Sequence, residues 1–404
     1  MASTADIRLE TSDLKKRTLS RTPPTSLLTG IGVVLIAVAV GMIWTPAGSG
    51  ARFWQAWLLA ATYCISISLG ALFFVLLQHL TRAGWSVAVR RVAEFFAQPL
   101  PILGLLLAPV LIAVLWGDSR LYEWNDAAVR SSDPLVASKT AYLNAPFFAV
   151  RTLIYFGVWL LLTRLFVGGS LRQDRSRGSE ITLRLERYSG PAMMAFAVTV
   201  CFAAFDWLMS LDPHWFSTIY GIYFFSGAVV GFFATICLAV LILEKSGPLH
   251  GVVQSKHLHD LGKLLFGFTF FWAYIALSQY LLIWYANIPE ETSWYLTRQS
   301  DGWQWLTVFL FVGHFGLPFL GLMSRFAKRS RASLAFWSLW LLVMHWLDLY
   351  WLIMPGHTTS GPTPSPIDLL LTAGLLAIFL SAVLHLARGK AVVPYADPRL
   401  HESL

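Results

Sequence analysis

Charge is what this chain has least of. Only 13% of its 404 residues are Asp, Glu, Lys or Arg, against 56% hydrophobic. A water-soluble protein of this length needs far more charge, so composition excludes that class and indicates a polytopic membrane protein. Cysteine is scarce as well: Cys64, Cys201 and Cys237 lie far apart within apolar runs, and no C-x-x-C occurs. Iron–sulfur ligation and c-type haem attachment are therefore unsupported. Nothing resembles a P-loop, a dinucleotide fingerprint or a Ser/His/Asp nucleophile site. The net charge of +8 does not indicate nucleic acid, because the basic residues fall in alternate connections, where they set topology.

What is present is a series of long apolar stretches. Taking roughly 20 apolar residues per span, ten qualify: about 26–45, 54–80, 93–116, 145–167, 190–211, 215–243, 260–286, 303–324, 332–354 and 366–387. The predicted fold class is all-α, a polytopic membrane protein with about ten transmembrane helices. The first 25 residues are polar and basic (Lys15, Lys16, Arg17, Arg21), and an apolar run from Ser26 to Trp44 follows. A cleaved signal peptide has a shorter basic start and a shorter core, so this run reads as a retained first span. The small residues after Pro46 leave cleavage as the alternative.

Orientation follows from the connections. One set holds Arg82, Arg90 and Arg91; then Arg172, Arg175, Arg177, Arg184 and Arg187; then Lys245 and Lys256; then Arg325, Lys328, Arg329 and Arg331. The alternate set holds Arg52, Arg120, Arg130, Lys139 and Arg298, together with the acids Asp118, Glu123, Asp126, Asp133, Glu290, Glu291 and Asp301. The bias predicts both termini in the cytoplasm. The outer connections are rich in Trp and Tyr, as expected of an interfacial aromatic belt.

A weak repeat links two spans. Asp206 precedes Pro213, and Asp348 precedes Pro355, each by seven residues at the outer end of a helix. Spans five and nine lie four apart, which predicts parallel repeats of four helices. The expected organisation is an N-terminal cytoplasmic segment (1–25), a peripheral first span (26–53), a first four-helix bundle (54–211), a second (212–354), and a last span with a cytoplasmic tail (355–404).

Ionisable groups inside spans are costly, at roughly 2.5–3.5 kcal/mol near the centre, so each is a functional candidate. Asp206 and Asp348 are expected at matching depths, ~7–9 Å inside the outer boundary. Burial would let them exchange protons near neutral pH. The plainer reading is that they bond backbone or hydroxyl groups between helices. His345 and Asp348 share a helix face, so they form a candidate relay opening outward. Glu94 follows Arg90 and Arg91 near the inner end of span three. It reads either as an inner proton intake or as an interfacial ion pair. His314 and His345 on adjacent spans are candidates for the proton path. As a b-type haem pair they lack the further pairs of a multi-haem cytochrome, and a core histidine is the better reading of each. His257 and His259 point to different sides of a helix, so a shared metal is poorly supported, and Asp260 reads as a helix N-cap.

Three stretches together resemble a known family: residues 205–221 (FDWLMSLDPHWFSTIYG), 259–274 (HDLGKLLFGFTFFWAY) and 278–291 (SQYLLIWYANIPEE). They look like the second of the two quinone-binding membrane proteins of alternative complex III, the quinol-oxidising respiratory complex of some bacteria. That family lies within the polysulfide-reductase membrane-subunit (NrfD-like) superfamily. The resemblance extends over about spans two to nine. It implies two four-helix bundles plus peripheral helices in a bacterial inner membrane. It implies no redox centre in this chain. The implied partners are a homologous membrane subunit, an iron–sulfur peripheral subunit, multi-haem and mono-haem cytochromes c and, further off, a terminal oxidase. Haem c and iron–sulfur clusters would sit in those partners.

Four functions are then open. The first is a cofactor-free membrane subunit of a quinol:electron-acceptor oxidoreductase, with Asp206, Asp348, His345, Glu94 and His314 in a proton path. The second is a quinol-binding subunit proper, with Asp206 or Asp348 accepting a quinol proton beside Trp207 and Trp346. The third is a stand-alone secondary transporter, for which parallel repeats and buried acids also suffice. The fourth is a structural scaffold, which predicts no effect from conservative changes at the acids.

Overall fold

In hydrocarbon every backbone N–H and C=O must be satisfied within the chain, so long apolar runs become helices. The computed structural model describes residues 11–19, 24–45, 50–176, 178–355 and 361–404. Arg21, Pro46, Arg177 and His357 lie outside them. Among the described residues ten helices are long and apolar enough to cross a membrane. They are α1 Thr25–Trp44, α2 Ala51–Leu80, α3 Val87–Leu115, α4 Ala145–Ser176, α5 Ser179–Leu211, α6 Tyr220–Lys245, α7 Ser255–Ala286, α8 Trp303–Met323, α9 Arg331–Ile353 and α10 Pro366–Ala387. No strand occurs among the described residues. The chain is an all-α polytopic membrane protein.

Helices α3, α4, α5 and α7 depart from the sequence expectation. Helix α3 breaks at Gln98 and Pro99, because Pro99 and Pro101 cannot donate to the helical ladder. Helices α4 and α5 continue past the apolar runs into the Arg-rich stretch expected to be a loop. At 32 residues α4 is ~48 Å long, well beyond a bilayer core of ~30 Å, so Arg172, Arg175, Arg184 and Arg187 ride on helical extensions. Helix α7 starts earlier than expected. Its cap is Gln254, paired with His257 in a capping box, and Asp260 lies one turn inside and pairs with Lys263 at 2.6 Å.

Helices α2–α5 form one ring of neighbours and α6–α9 a second. The rings meet where α2 crosses α6, at Gly70. A Cβ on Gly70 would lie 2.4 Å from Phe232 Cβ and 2.6 Å from the Ala228 carbonyl, so only glycine admits this approach. Helix α2 is buried along its length, while α10 leans on α2 and α1 packs chiefly on α10. The α1–α10 crossing uses Gly32 against Gly374 and a Thr29–Ser381 hydroxyl bond of 2.8 Å.

The segment after α10 folds back across the face that carries residues 11–19, the terminal face. Ala391 pairs with Thr18, and the Ser403 hydroxyl donates to the Trp85 carbonyl at 2.8 Å and accepts from the Ala88 amide at 3.0 Å. His257 Nε2 lies 2.9 Å from the Ser403 carbonyl, which ties the tail to the second ring as well. The opposite, distal face carries the connections that contain Asp212 and Glu290.

Candidate functional site

Asp206 and Asp348 each sit near the distal end of a helix, fully buried, as the repeat predicts. Their surroundings differ. Arg151, on the second turn of α4, grips Asp206 with both ends of its fork: Nε to Oδ2 at 2.8 Å and Nη2 to Oδ1 at 2.9 Å. Tyr155 donates to the same carboxylate at 2.6 Å. The guanidinium also donates to the Tyr142 carbonyl at 2.8 Å and stacks on the Tyr142 ring, 3.8 Å from its centroid. Trp207 turns away from the acid to bond Thr152 at 3.1 Å and packs on Phe156 and Trp159. This corner is filled, and its acid is locked in a bidentate ion pair.

In the equivalent corner of the second ring no cation among the described residues lies against the acid. Asp348 accepts from the Tyr223 hydroxyl on α6 and from Trp272 Nε1 on α7 at 3.1 Å. His345, one turn earlier on α9, faces α2 instead, with Nε2 2.8 Å from Ser66 Oγ. Ser66 in turn donates to the Tyr63 carbonyl at 2.8 Å, so the histidine joins the two rings. Its Nδ1 is buried with no hydrogen-bond partner. Gly227 and Gly231 of α6 make room for the pair. A Cβ on Gly231 would lie 2.6 Å from His345 Cδ2, and one on Gly227 would lie 3.2 Å from Asp348 Oδ2.

His314 lies in a π-helical turn, Phe311–Gly316, a distortion common at functional sites. It is fully buried, both ring nitrogens lack partners, and it stacks on Trp272 with centroids 3.9 Å apart. The structure therefore gathers His314, Trp272, Asp348, Tyr223, His345 and Ser66 into one cluster. Trp346 does not join it. That ring bonds Thr372 on α10 at 2.9 Å and so walls neither acid.

Above the cluster, toward the distal face, lies a cavity of about 390 Å³. Tyr223 and Trp272 form its floor, Trp294 and Trp351 its distal wall, and Gln279 and Gln304 its polar points. Helix α7 packs against the inner half of α8 but diverges from Trp303–Leu310. The gap between them is rimmed by Leu277, Val308 and Phe311, exposed by 46%, 54% and 55%, so the cavity opens sideways toward lipid.

The wall is held by Arg298 at the end of a short helix, Pro289–Thr297. Its guanidinium lies 3.4 Å from the Trp294 centroid and donates to the Trp294, Trp351 and Leu352 carbonyls at 3.0–3.2 Å. Burial pulls it down to about 10, still a cation at neutral pH.

Glu94 is far from this cluster. It is fully buried between Arg90, at 3.2 Å, and Arg91, at 2.8 Å. These continue to Asp397 of the C-terminal segment at 2.5 Å and to Asp174 of α4 at 2.8 Å. The structure thus realises the ion-pair alternative and closes the group off beneath the tail. Among the described residues no cluster of three His, Cys, Asp or Glu side chains has the arrangement of a metal site.

Comparison with protein-family models finds no match, and comparison with curated proteins finds none.

Proposed function

We propose that the chain is an integral membrane subunit of a quinol-oxidising respiratory complex of the alternative complex III kind, and that its own chemistry is proton exchange at Asp348. The observation that carries this reading is the contrast in partners. Asp206 is held in a bidentate ion pair with Arg151, whereas Asp348 is held only by neutral donors. Asp348 also has a histidine neighbour and lies beneath a cavity that opens to the bilayer. In this reading the chain sits in a bacterial inner membrane with its terminal face in the cytoplasm. The Arg-rich extensions of α4 and α5 support that orientation. Electrons pass through partner subunits that carry haem c and iron–sulfur clusters.

The cavity favours a second reading, in which this chain binds the quinol itself. Its volume falls in the range of small-molecule sites, its walls are aromatic, and Gln279 Oε1 is buried without a partner. Bound there, a quinol would give its two electrons to the redox centres of the partner subunits and its two protons in turn through Tyr223 to Asp348, the first leaving the carboxyl before the second arrives; Trp272 would hold the carboxylate, and Gln279 and Gln304 would orient the ring. A photoreactive quinone label on Trp294 or Leu277 supports this reading, and one confined to the homologous partner refutes it.

The experiment for the main reading is Asp348→Asn in the assembled complex. Quinol-driven proton release should fall at least tenfold while the haem-containing partners still co-purify. Unchanged quinol oxidation and proton release would overturn it. A chain that purifies alone and moves a solute would favour the transporter.

A further inference from the structure

Arg164 is a cation that the proton chemistry above does not use. It lies in the apolar run of α4, exposed on the same stripe as Ile154 and Leu161. It makes no ion pair, hydrogen bond or ring contact among the described residues. An unpaired charge among lipid-facing side chains is costly, so this one calls for a partner from outside the fold.

Its depth narrows the choice. About 20 residues of helix cross the hydrocarbon, and counted from Ala145 that length ends near Arg164. Gly168 is then ~5 Å farther on, within the headgroup layer. Tyr395 of the C-terminal segment donates to the Asp174 carbonyl at 2.8 Å, so this end of α4 lies at the terminal face. Arg164, Gly168 and Arg172 follow at four-residue spacing and share one face of the helix. Gly168 is a notch in that face, where a Cβ would meet nothing within 4 Å. Arg172 folds back over it and donates from Nε to the Gly168 carbonyl at 3.3 Å. Helical side chains lean toward the N-terminus, which for Arg164 is the hydrocarbon. Its guanidinium leaves the hydrocarbon by turning toward Gly168. Two cations thus converge on one open notch at the depth of lipid phosphates.

No carboxylate of α4 or α5 answers them among the described residues. Asp174 pairs with Arg91, Glu186 with Arg82 and Arg399, and Asp206 with Arg151. Glu180 lies near the level of Arg175, as the 2.6 Å bond between Gln173 and Thr182 shows, more than a turn beyond the notch. Arg184 and Arg187 of α5 add positive charge near the level of the notch, since a Cβ on Gly169 would lie 3.0 Å from Leu185 Cδ2.

We propose that Arg164, Gly168 and Arg172 form a binding site for the phosphate of an anionic phospholipid in the leaflet at the terminal face. Arg164 holds the phosphate from the hydrocarbon side and Arg172 from the water side, while an acyl chain runs along Leu161, Gly157 and Ile154. A zwitterionic lipid would bring its own cation into this positive field and bind more weakly. The site does not depend on the reading of Asp348.

The test is lipid retention by the detergent-purified protein, with whatever partners co-purify, read by native mass spectrometry as phosphatidylglycerol is titrated against phosphatidylcholine. The affinity for phosphatidylglycerol should fall about tenfold in Arg164→Gln and in Arg172→Gln. Gly168→Leu fills the notch at unchanged charge and should do the same. Arg175→Gln removes a cation ~10 Å beyond Gly168 and should leave retention within about twofold. Unchanged retention in Arg164→Gln or Gly168→Leu would overturn the proposal. So would an equal loss in Arg175→Gln, which would indicate a diffuse field in place of a site. Loss of a co-purifying polypeptide from Arg164→Gln, with lipid retention intact, would assign the arginine to a protein partner and refute the lipid. Displacement of phosphatidylglycerol by inorganic phosphate at matched concentration would refute it as well. Should Arg164→Gln fail to accumulate, Gly168→Leu decides alone.

Discussion

The two four-helix rings carry the same acid at the same distance from a closing proline, yet they treat it in opposite ways. In the first ring Arg151 and Tyr155 saturate Asp206, and aromatic side chains fill the space around it. In the second, Tyr223 and Trp272 hold Asp348 with neutral bonds, and the space above remains a cavity. The lesson is that a buried acid is not one kind of object. Its use depends on whether its neighbour is a cation in contact or a set of neutral donors.

Removing a partner breaks this comparison most severely. Arg151→Ala leaves the Asp206 carboxylate buried and unpaired, at a cost of about 3–5 kcal/mol. Thermal unfolding of the detergent-purified protein should show a drop of several degrees or failure to accumulate. The double change Arg151→Met with Asp206→Leu should recover most of it, because an apolar pair of similar size replaces the ion pair. No change with Arg151→Ala would mean that the pair is dispensable and the two rings are alike.

Asp206→Asn should cost nearly as much, since it strands the arginine. Asp348→Asn should cost only about 1 kcal/mol, the worth of one neutral hydrogen bond. Equal losses of stability in the two variants would erase the distinction between the acids. Crowding the second ring comes next. Gly231→Ala pushes a methyl group to 2.6 Å from His345 Cδ2, so it should cost about 1–3 kcal/mol and slow proton release. Unfolding and proton-release assays on the same preparation check both halves.

The smallest effect is on the distal surface. Asp133 caps the short helix Pro134–Ser138 and meets His214 Nε2 at 2.5 Å, which ties the connection after α3 to the hinge after α5. The His214 hydrogen bond, helped by the cap amides, holds the Asp133 carboxyl below its usual range. A depressed carboxyl lends stability that is present above its ordinary range and lost as pH falls through its folded value. Hydrogen exchange over residues 127–138 should therefore quicken only at strongly acid pH, with little change between pH 6 and 8 from this group. Quickening across that neutral window with His214→Gln unaffected would show that the contact does not form.

Much of this was legible in the sequence, because hydropathy length and Lys/Arg alternation are strong signals. The ten spans fall within a few residues of their predicted places, apart from the Arg-rich extensions of α4 and α5, the early starts of α3 and α7 and the late start of α6. The acids Asp206 and Asp348 stand out in apolar runs. Arg151 carries the same signal inside the 145–167 run, and pairing it with Asp206 needs only the rule that buried charges find partners. Arg298 is different. In sequence it is one more loop cation, although Pro289, Glu290 and Glu291 mark a helix start just before it. Its burial arises from tertiary contact with the end of α9. The cavity is equally illegible, since it depends on how far α7 and α8 splay. Trp207 and Trp346 flank the acids in sequence, but a helical neighbour at i+1 or i−2 points elsewhere.

The most direct measurement is an infrared pH titration of the carboxyl C=O absorption in the purified complex, with Asp206→Asn and Asp348→Asn alongside. The account predicts a protonated-carboxyl band that responds to pH, disappears in Asp348→Asn and persists in any Asp206→Asn complex that assembles. A band that survives Asp348→Asn, or one that Asp206→Asn removes, would contradict it.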